Sequence, residues 1–144
     1  NLSHARNHVL IAVARRQPLG VDIERVDRRI EIDDLSRRFF SLDEGDALAE
    51  VPESRRLAAF IRLWTCKEAV LKALGVGISF GLDKACFRLD AEGMPDGFSE
   101  LAEIAGPPAE WHVALLEPAS GFLGALAWRG PPRRLRTFLA TPVA

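Results

Sequence analysis

The sequence predicts an α+β fold in which an antiparallel sheet packs against one long helix. Residues 54–74, SRRLAAFIRLWTCKEAVLKAL, contain neither Gly nor Pro and run into Gly75 and Gly77, which reads as a long helix closed by a glycine C-cap. LGVDIE at 19–24 alternates in side-chain character with the period of two that marks a strand. The elements also come in blocks, two strands, then helices, then further strands, rather than in the strand–helix alternation of a parallel sheet.

Each element has its own justification. HVLIAVA at 8–14 is a short apolar run rich in β-branched residues and reads as a buried strand. Arg15 to Pro18 is polar and ends in proline, so a turn is expected there. In LGVDIE, Leu19, Val21 and Ile23 point one way and Gly20, Asp22 and Glu24 the other. The two strands are expected to form a hairpin whose second member has one apolar and one acidic face. DDLSRRFF at 33–40 reads as a short helix with Asp33 or Asp34 as N-cap and Leu35, Phe39 and Phe40 at helical spacing. SLDE at 41–44 has the capping-box pattern, so a second short helix starts at Ser41 and is ended by Pro52. ACFRLD (85–90), WHVALLE (111–117) and FLGALAW (122–128) are strands, the last two joined by a hairpin loop of Pro118, Ala119, Ser120 and Gly121. RLRTFLA (134–140) is expected to add an edge strand, and 91–110 to be connection with at most one helical turn.

With 144 residues, 48% hydrophobic and 27% charged, the chain is of a size and composition to bury a core as one domain. A net charge of -1 excludes the overall basic field of a general nucleic-acid binder. Arginine is nonetheless clustered, at Arg15, Arg16, Arg25, Arg28, Arg29, Arg37 and Arg38 and again at Arg129, Arg133, Arg134 and Arg136. Such clusters suit bidentate binding of phosphate or carboxylate, and equally suit a solvated face. The two cysteines, Cys66 and Cys86, share no C-x-x-C or metal-ligand spacing, so a reduced, cytoplasmic protein is expected. No apolar run approaches the roughly 20 residues of a membrane span. The sequence starts at Asn1 rather than Met, from which an upstream segment is expected.

The chemistry concentrates in two stretches. On the long helix, Leu57, Phe60, Ile61, Trp64 and Leu71 form one apolar stripe, in which Glu68 also lies; Lys72 falls at its edge and Lys67 on the opposite flank. A carboxylate in an apolar stripe costs several kcal/mol unless it finds a cation, a metal or a proton. One partner is Lys72 at i, i+4, a pair worth about 0.2–0.5 kcal/mol on an exposed face. A second solution involves Asp22 and Glu24, which share a strand face with Cα atoms about 6.6 Å apart. With Glu68 they make a hard oxygen site suited to Mg²⁺ and substrate phosphates, with the lysines neutralising anionic oxygens. For LGVDIE alone, a solvent-facing strand surface is the competing reading.

LGVDIE and WTCKEAVLKA together resemble the two signature motifs of the 4′-phosphopantetheinyl transferases, G-V/I-D-I/L-E and F/W-S/T-x-K-E-A/S-x-x-K. NLSHA before the first, FFSLDE between them and GVGISFGLD after the second are similar to the surfactin-synthetase-activating type, and the resemblance extends from Asn1 to about Ala127. It implies the fold of that family, and specifically the second of two pseudo-symmetric α+β halves, residues 1–144 forming the C-terminal half of a longer protein with coenzyme A between the halves. It implies transfer of the 4′-phosphopantetheine arm of coenzyme A to a serine of an acyl or peptidyl carrier protein of fatty-acid or secondary-metabolite biosynthesis. Adenosine 3′,5′-bisphosphate is released.

By the same resemblance, Asp22, Glu24 and Glu68 are the Mg²⁺ ligands. Glu68, or a metal-ordered water beside it, is the general base, Lys67 and Lys72 hold phosphate oxygens, and Ser3 and His4 touch the phosphates of coenzyme A. Carrier proteins are acidic around the modified serine, which makes Arg25, Arg28, Arg29, Arg37 and Arg38 candidates for docking. Two rivals remain: a Mg²⁺-dependent nuclease, whose E-x-K pattern belongs on a strand and not on a helix, and a module that binds coenzyme A or a carrier without turnover.

Overall fold

A computed structural model describes residues 1–27 and 29–141. Strands β1 (Leu2–Ala5) and β2 (His8–Ile11) form a hairpin, and β3 (Leu19–Arg25) follows. Three helices come next, α1 (Ile32–Phe39), α2 (Leu42–Glu50) and α3 (Glu53–Leu74). Then β4 (Ala85–Leu89) pairs with β5 (Pro95–Leu101), and β6 (Trp111–Ala119) pairs with β7 (Phe122–Arg129). The central sheet has the order β3-β7-β6 and is antiparallel throughout, with Asp22 opposite Ala125 and Glu24 opposite Leu123. The α+β expectation is met, and no helix among the described residues is long and apolar enough to cross a membrane.

The long helix forms where the sequence placed it. Gly75 closes it in the left-handed region at φ 74°, its N–H reaching the carbonyls of Leu71 and Lys72, a conformation that costs a β-carbon-bearing residue. Phe60, Ile61, Leu63, Val70 and Leu71 are each at most 2% exposed, and burial of each such side chain contributes about 1.5–3 kcal/mol. The buried surface is wider than a single stripe. The sheet covers one side, α2 and β4 another, and Phe39, Phe40, Phe60 and Trp64 cluster in edge-on and tilted contacts where α1 meets α3, with ring centroids 5.1–6.2 Å apart.

Gly20 fixes how closely the sheet approaches that helix. A Cβ built at Gly20 would stand 2.0 Å from the carbonyl oxygen of Ala69, 2.4 Å from the amide nitrogen of Ala73 and 2.8 Å from Cβ of Lys72. With the strand period of two, Gly20, Asp22 and Glu24 therefore face α3. The expected acidic face is thus turned inward. The other face carries Val21 and Ile23, 0% and 2% exposed, beneath the β1–β2 hairpin; a Cβ at Gly124, opposite Ile23, would lie 3.3 Å from Leu10.

Four local expectations are corrected. The 8–14 stretch does not pair with β3 and is not buried: its strand ends at Ile11, pairs with β1 across a turn at Arg6 (φ 56°), and leaves Val9, Ile11 and Val13 at 59%, 65% and 89% exposure. The N-cap of α1 is Glu31, with Asp33 and Asp34 inside the first turn, where their charge suits the helix dipole. Residues 95–101, expected to be connection, form β5; its Pro and Gly lower strand propensity, but the β4 edge supplies a bulged partner. Residues 134–140 form no strand. The segment after β7 is tied instead by Trp128 Nε1–H to the Pro131 carbonyl (3.1 Å) and by Arg133 to Gln17 (2.7 Å).

Candidate active site

Close packing at Gly20 brings the carboxylate of Asp22 to the helix. Asp22 Oδ1 accepts from Lys72 Nζ at 2.7 Å and from the Ser3 hydroxyl at 2.8 Å. Lys72 also donates to the Val21 carbonyl at 3.0 Å, so it bridges α3 to β3 where a simple pair with Glu68 was the alternative. Asp22 itself is 6% exposed, and its Oδ2 is buried without a hydrogen-bond partner among the described residues. Leaving a buried charged acceptor unmatched costs on the order of 1–3 kcal/mol or more.

Glu68 lies one turn before Lys72 and is half-buried. Burial pushes its carboxyl up from the ordinary glutamate value, the Asp22 charge adds to the rise, Lys72 opposes it, and Glu24 adds a further increment. Asp22, Glu24 and Glu68 therefore share one electrostatic neighbourhood with Lys72. Among the described residues no group of three or more His, Cys, Asp or Glu side chains is arranged to hold a metal ion. By donor chemistry alone, carboxylate oxygens, one of them buried and without a partner among the described residues, would suit a hard divalent ion.

Two expected ligand contacts take other positions. Lys67 does not reach this site. It is 0% exposed, and its three N–H donors go to Glu44 Oε2 (2.7 Å), the Leu82 carbonyl (2.9 Å) and the Ala85 carbonyl (2.8 Å), with the Phe40 ring 5.1 Å away. Desolvation lowers its pKa, and Glu44 works against that shift. Glu44, 1% exposed, is matched in turn: it closes the capping box with Ser41 and accepts the Phe87 N–H at 2.8 Å. This buried pair, which ties α2 and β4 to α3, was legible only as a capping box. Ser3 is the second departure, since its hydroxyl is turned inward to Asp22 and not outward to a ligand.

His4 follows on the outer side of β1 and is exposed. Of the arginines, Arg29, Arg37 and Arg38 are exposed. Arg25 is half-buried and paired with Asp27, Arg37 pairs with Asp34, and Arg38 lies over the Phe39 ring. Arg28 lies outside the described residues.

The fold agrees with the comparisons. The 4′-phosphopantetheinyl transferase superfamily matches residues 18–125, a span that includes Gly20, Asp22, Glu24, Glu44, Glu68 and Lys72. The 4′-phosphopantetheinyl transferase HetI of Nostoc sp. is 33% identical over 130 residues, covering 90% of this chain and 51% of that protein. The 4′-phosphopantetheinyl transferase psf-1 of Bacillus pumilus is 42% identical over 93 residues, 65% of this chain and 39% of that protein. The 4′-phosphopantetheinyl transferase Sfp of Bacillus subtilis is 34% identical over 104 residues, 69% of this chain and 45% of that protein. The chain spans about half or less of the length of these curated relatives.

Proposed function

The chain belongs to the 4′-phosphopantetheinyl transferase superfamily, and on that footing we propose that it transfers the 4′-phosphopantetheine group of coenzyme A to a serine of an apo acyl or peptidyl carrier protein. The observation that carries the reading is Oδ2 of Asp22, buried and without a hydrogen-bond partner among the described residues, close to Glu68, with the ammonium of Lys72 bonded to the same side chain. Asp22, Glu24 and Glu68 would hold Mg²⁺, which would supply neutralising charge for the pyrophosphate of coenzyme A.

The chain's own groups supply the remainder. Glu68 accepts the proton of the carrier serine hydroxyl. The serine oxygen then forms a bond to the phosphorus that carries the pantetheine arm, the bond from that phosphorus to the bridging pyrophosphate oxygen breaks, and adenosine 3′,5′-bisphosphate leaves. Lys72 offsets negative charge on the phosphate oxygens as it builds, and exposed His4 contributes a further phosphate contact.

We take residues 1–144 as the C-terminal half of the transferase, with coenzyme A bound between it and a second half, in the cytoplasm. The carrier docks against the arginine-bearing segment that includes Arg25, Arg28, Arg29, Arg37 and Arg38, and neither nucleic acid nor a membrane is a partner. Incubation with coenzyme A, Mg²⁺ and a panel of apo carriers, followed by mass spectrometry of the carriers, is expected to reveal a phosphopantetheine adduct that Glu68→Gln eliminates. No adduct on any carrier from the full-length protein, second half included, would overturn the transferase reading, and cleavage of DNA under the same conditions would favour a nuclease.

A further inference from the structure

We infer that Ser3 is a positioning residue for the metal ligand Asp22: its hydroxyl fixes the carboxylate so that Oδ1 is spent inside the protein and Oδ2 is presented to the cation. The inference rests on the reading of Asp22 as a metal ligand and extends it to a strand whose ladder partner is β2, not β3. Ser3 is 8% exposed. Its oxygen accepts the backbone N–H of Ile23 at 3.4 Å and donates to Asp22 Oδ1 at 2.8 Å. A hydroxyl has one proton, and with a lone pair taken by Ile23 that proton goes to Asp22. The backbone of β3 therefore orients Ser3, and Ser3 orients the side chain one residue before the N–H that holds it.

The distribution of donors explains why this matters. Ser3 and Lys72 both bind Oδ1, and no described group binds Oδ2. Lys72 alone cannot set the rotation of the carboxylate, because its flexible stem follows Asp22 to new positions. A short, buried hydroxyl anchored to a strand amide cannot follow. Groups of this kind, which hold a ligand side chain without touching the metal, typically change metal affinity about 10–100-fold when removed.

The test is Mn²⁺ binding to the protein alone, measured by calorimetry and by the electron paramagnetic resonance signal of the bound ion, with thermal melting in the absence of metal as a separate readout. Ser3→Ala is expected to weaken Mn²⁺ binding at least about 10-fold. Ser3→Cys keeps the shape but replaces a strong donor by a weak one, and is expected to weaken it in the same direction. Ser3→Thr, which restores the hydroxyl, is expected to restore most of the affinity. A merely structural Ser3 would lower the melting temperature and leave Mn²⁺ affinity unchanged in whichever of Ser3→Ala and Ser3→Cys folds, and that result overturns the inference. If the unmodified protein shows no Mn²⁺ binding that Asp22→Asn weakens, the metal reading itself falls and the role of Ser3 falls with it.

Discussion

Replacing Gly20 by alanine adds one methyl group at the point where β3 meets α3. The backbone there has no left-handed requirement, so the substitution tests space alone. The new carbon would lie 2.0 Å from the Ala69 carbonyl oxygen and 2.4 Å from the Ala73 amide nitrogen, where ordinary contact begins at 3.4 Å. Both are backbone atoms of a helix, and no rotamer change relieves the clash. Strand and helix must separate by on the order of 1 Å in a close-packed interior.

Overpacking of this size costs about 1–3 kcal/mol, and the lower chain entropy of unfolded alanine returns only about 0.4–1 kcal/mol. At roughly 2–4 °C per kcal/mol for a chain of this length, the melting temperature should fall by several degrees. The greater effect is on function, because the two elements that part are those that carry Asp22 and Lys72, now 2.7 Å apart. A displacement of about 1 Å at a site that works by positioning is expected to lower transfer about 100-fold. Gly45 is the control: a Cβ there meets nothing within 4 Å, so Gly45→Ala inside α2 should stabilise by up to about 1 kcal/mol. If Gly20→Ala melts with the parent protein and transfers phosphopantetheine at the parental rate, the account of Gly20 as the spacer of the site is wrong.

Removing one member of the buried Glu44–Lys67 pair, by Glu44→Gln or Lys67→Met, should cost about 3–5 kcal/mol in urea denaturation, whereas the double replacement Glu44→Leu with Lys67→Met should recover part of that loss. Glu68 makes stability depend on pH in a defined direction: its folded pKa lies above the unfolded value of 4.5, so between the two the folded state holds the extra proton and stability falls as pH rises. The metal-free Glu68→Gln protein should accordingly gain melting temperature relative to the parent as pH is raised through that window, and a constant difference would refute the raised pKa. Cys66 is 0% exposed and burial pushes its thiol up to about 12, so it should resist alkylation by iodoacetamide near neutral pH until the protein is unfolded in urea.

Local signals in the sequence were sufficient for those elements whose determinants are local. The Gly75 cap and the Ser41–Glu44 capping box each depend on residues within a few positions of one another and stand where they were expected; the β6–β7 connection falls within its expected span but is shorter, because β6 runs on through Pro118 and Ala119. The convergence of Asp22 with Glu68 was legible because two periodicities, one of a strand and one of a helix, independently left a carboxylate needing a partner. What failed was non-local. The partner of β2 is set by a turn at Arg6 that carries no Gly, and β5 is a strand only because β4 offers an edge. Glu44 and Lys67 are 23 positions apart, and nothing near either announces the other.

The two lysines of the long helix show how much further periodicity reaches once burial is known. At about 100° per residue, Lys72 lies about 40° around the helix from Glu68 and about 140° from Lys67. The two ammonium groups therefore cannot serve one small site from the same face, whatever covers the helix. Because α3 is enclosed on several sides, the lysine turned away from β3 does not reach water; it enters protein, where its charge is tolerable only with a full set of acceptors, and Glu44, Leu82 and Ala85 provide them. The lysine turned toward β3 meets Asp22 with a quarter of its side chain still exposed, 27%, and so remains able to meet a ligand. Two lysines five positions apart in one motif thus divide between tying the helix into the protein and facing its open side, and Glu68, next to Lys67 in sequence, lies about 40° from Lys72 on the side that meets β3.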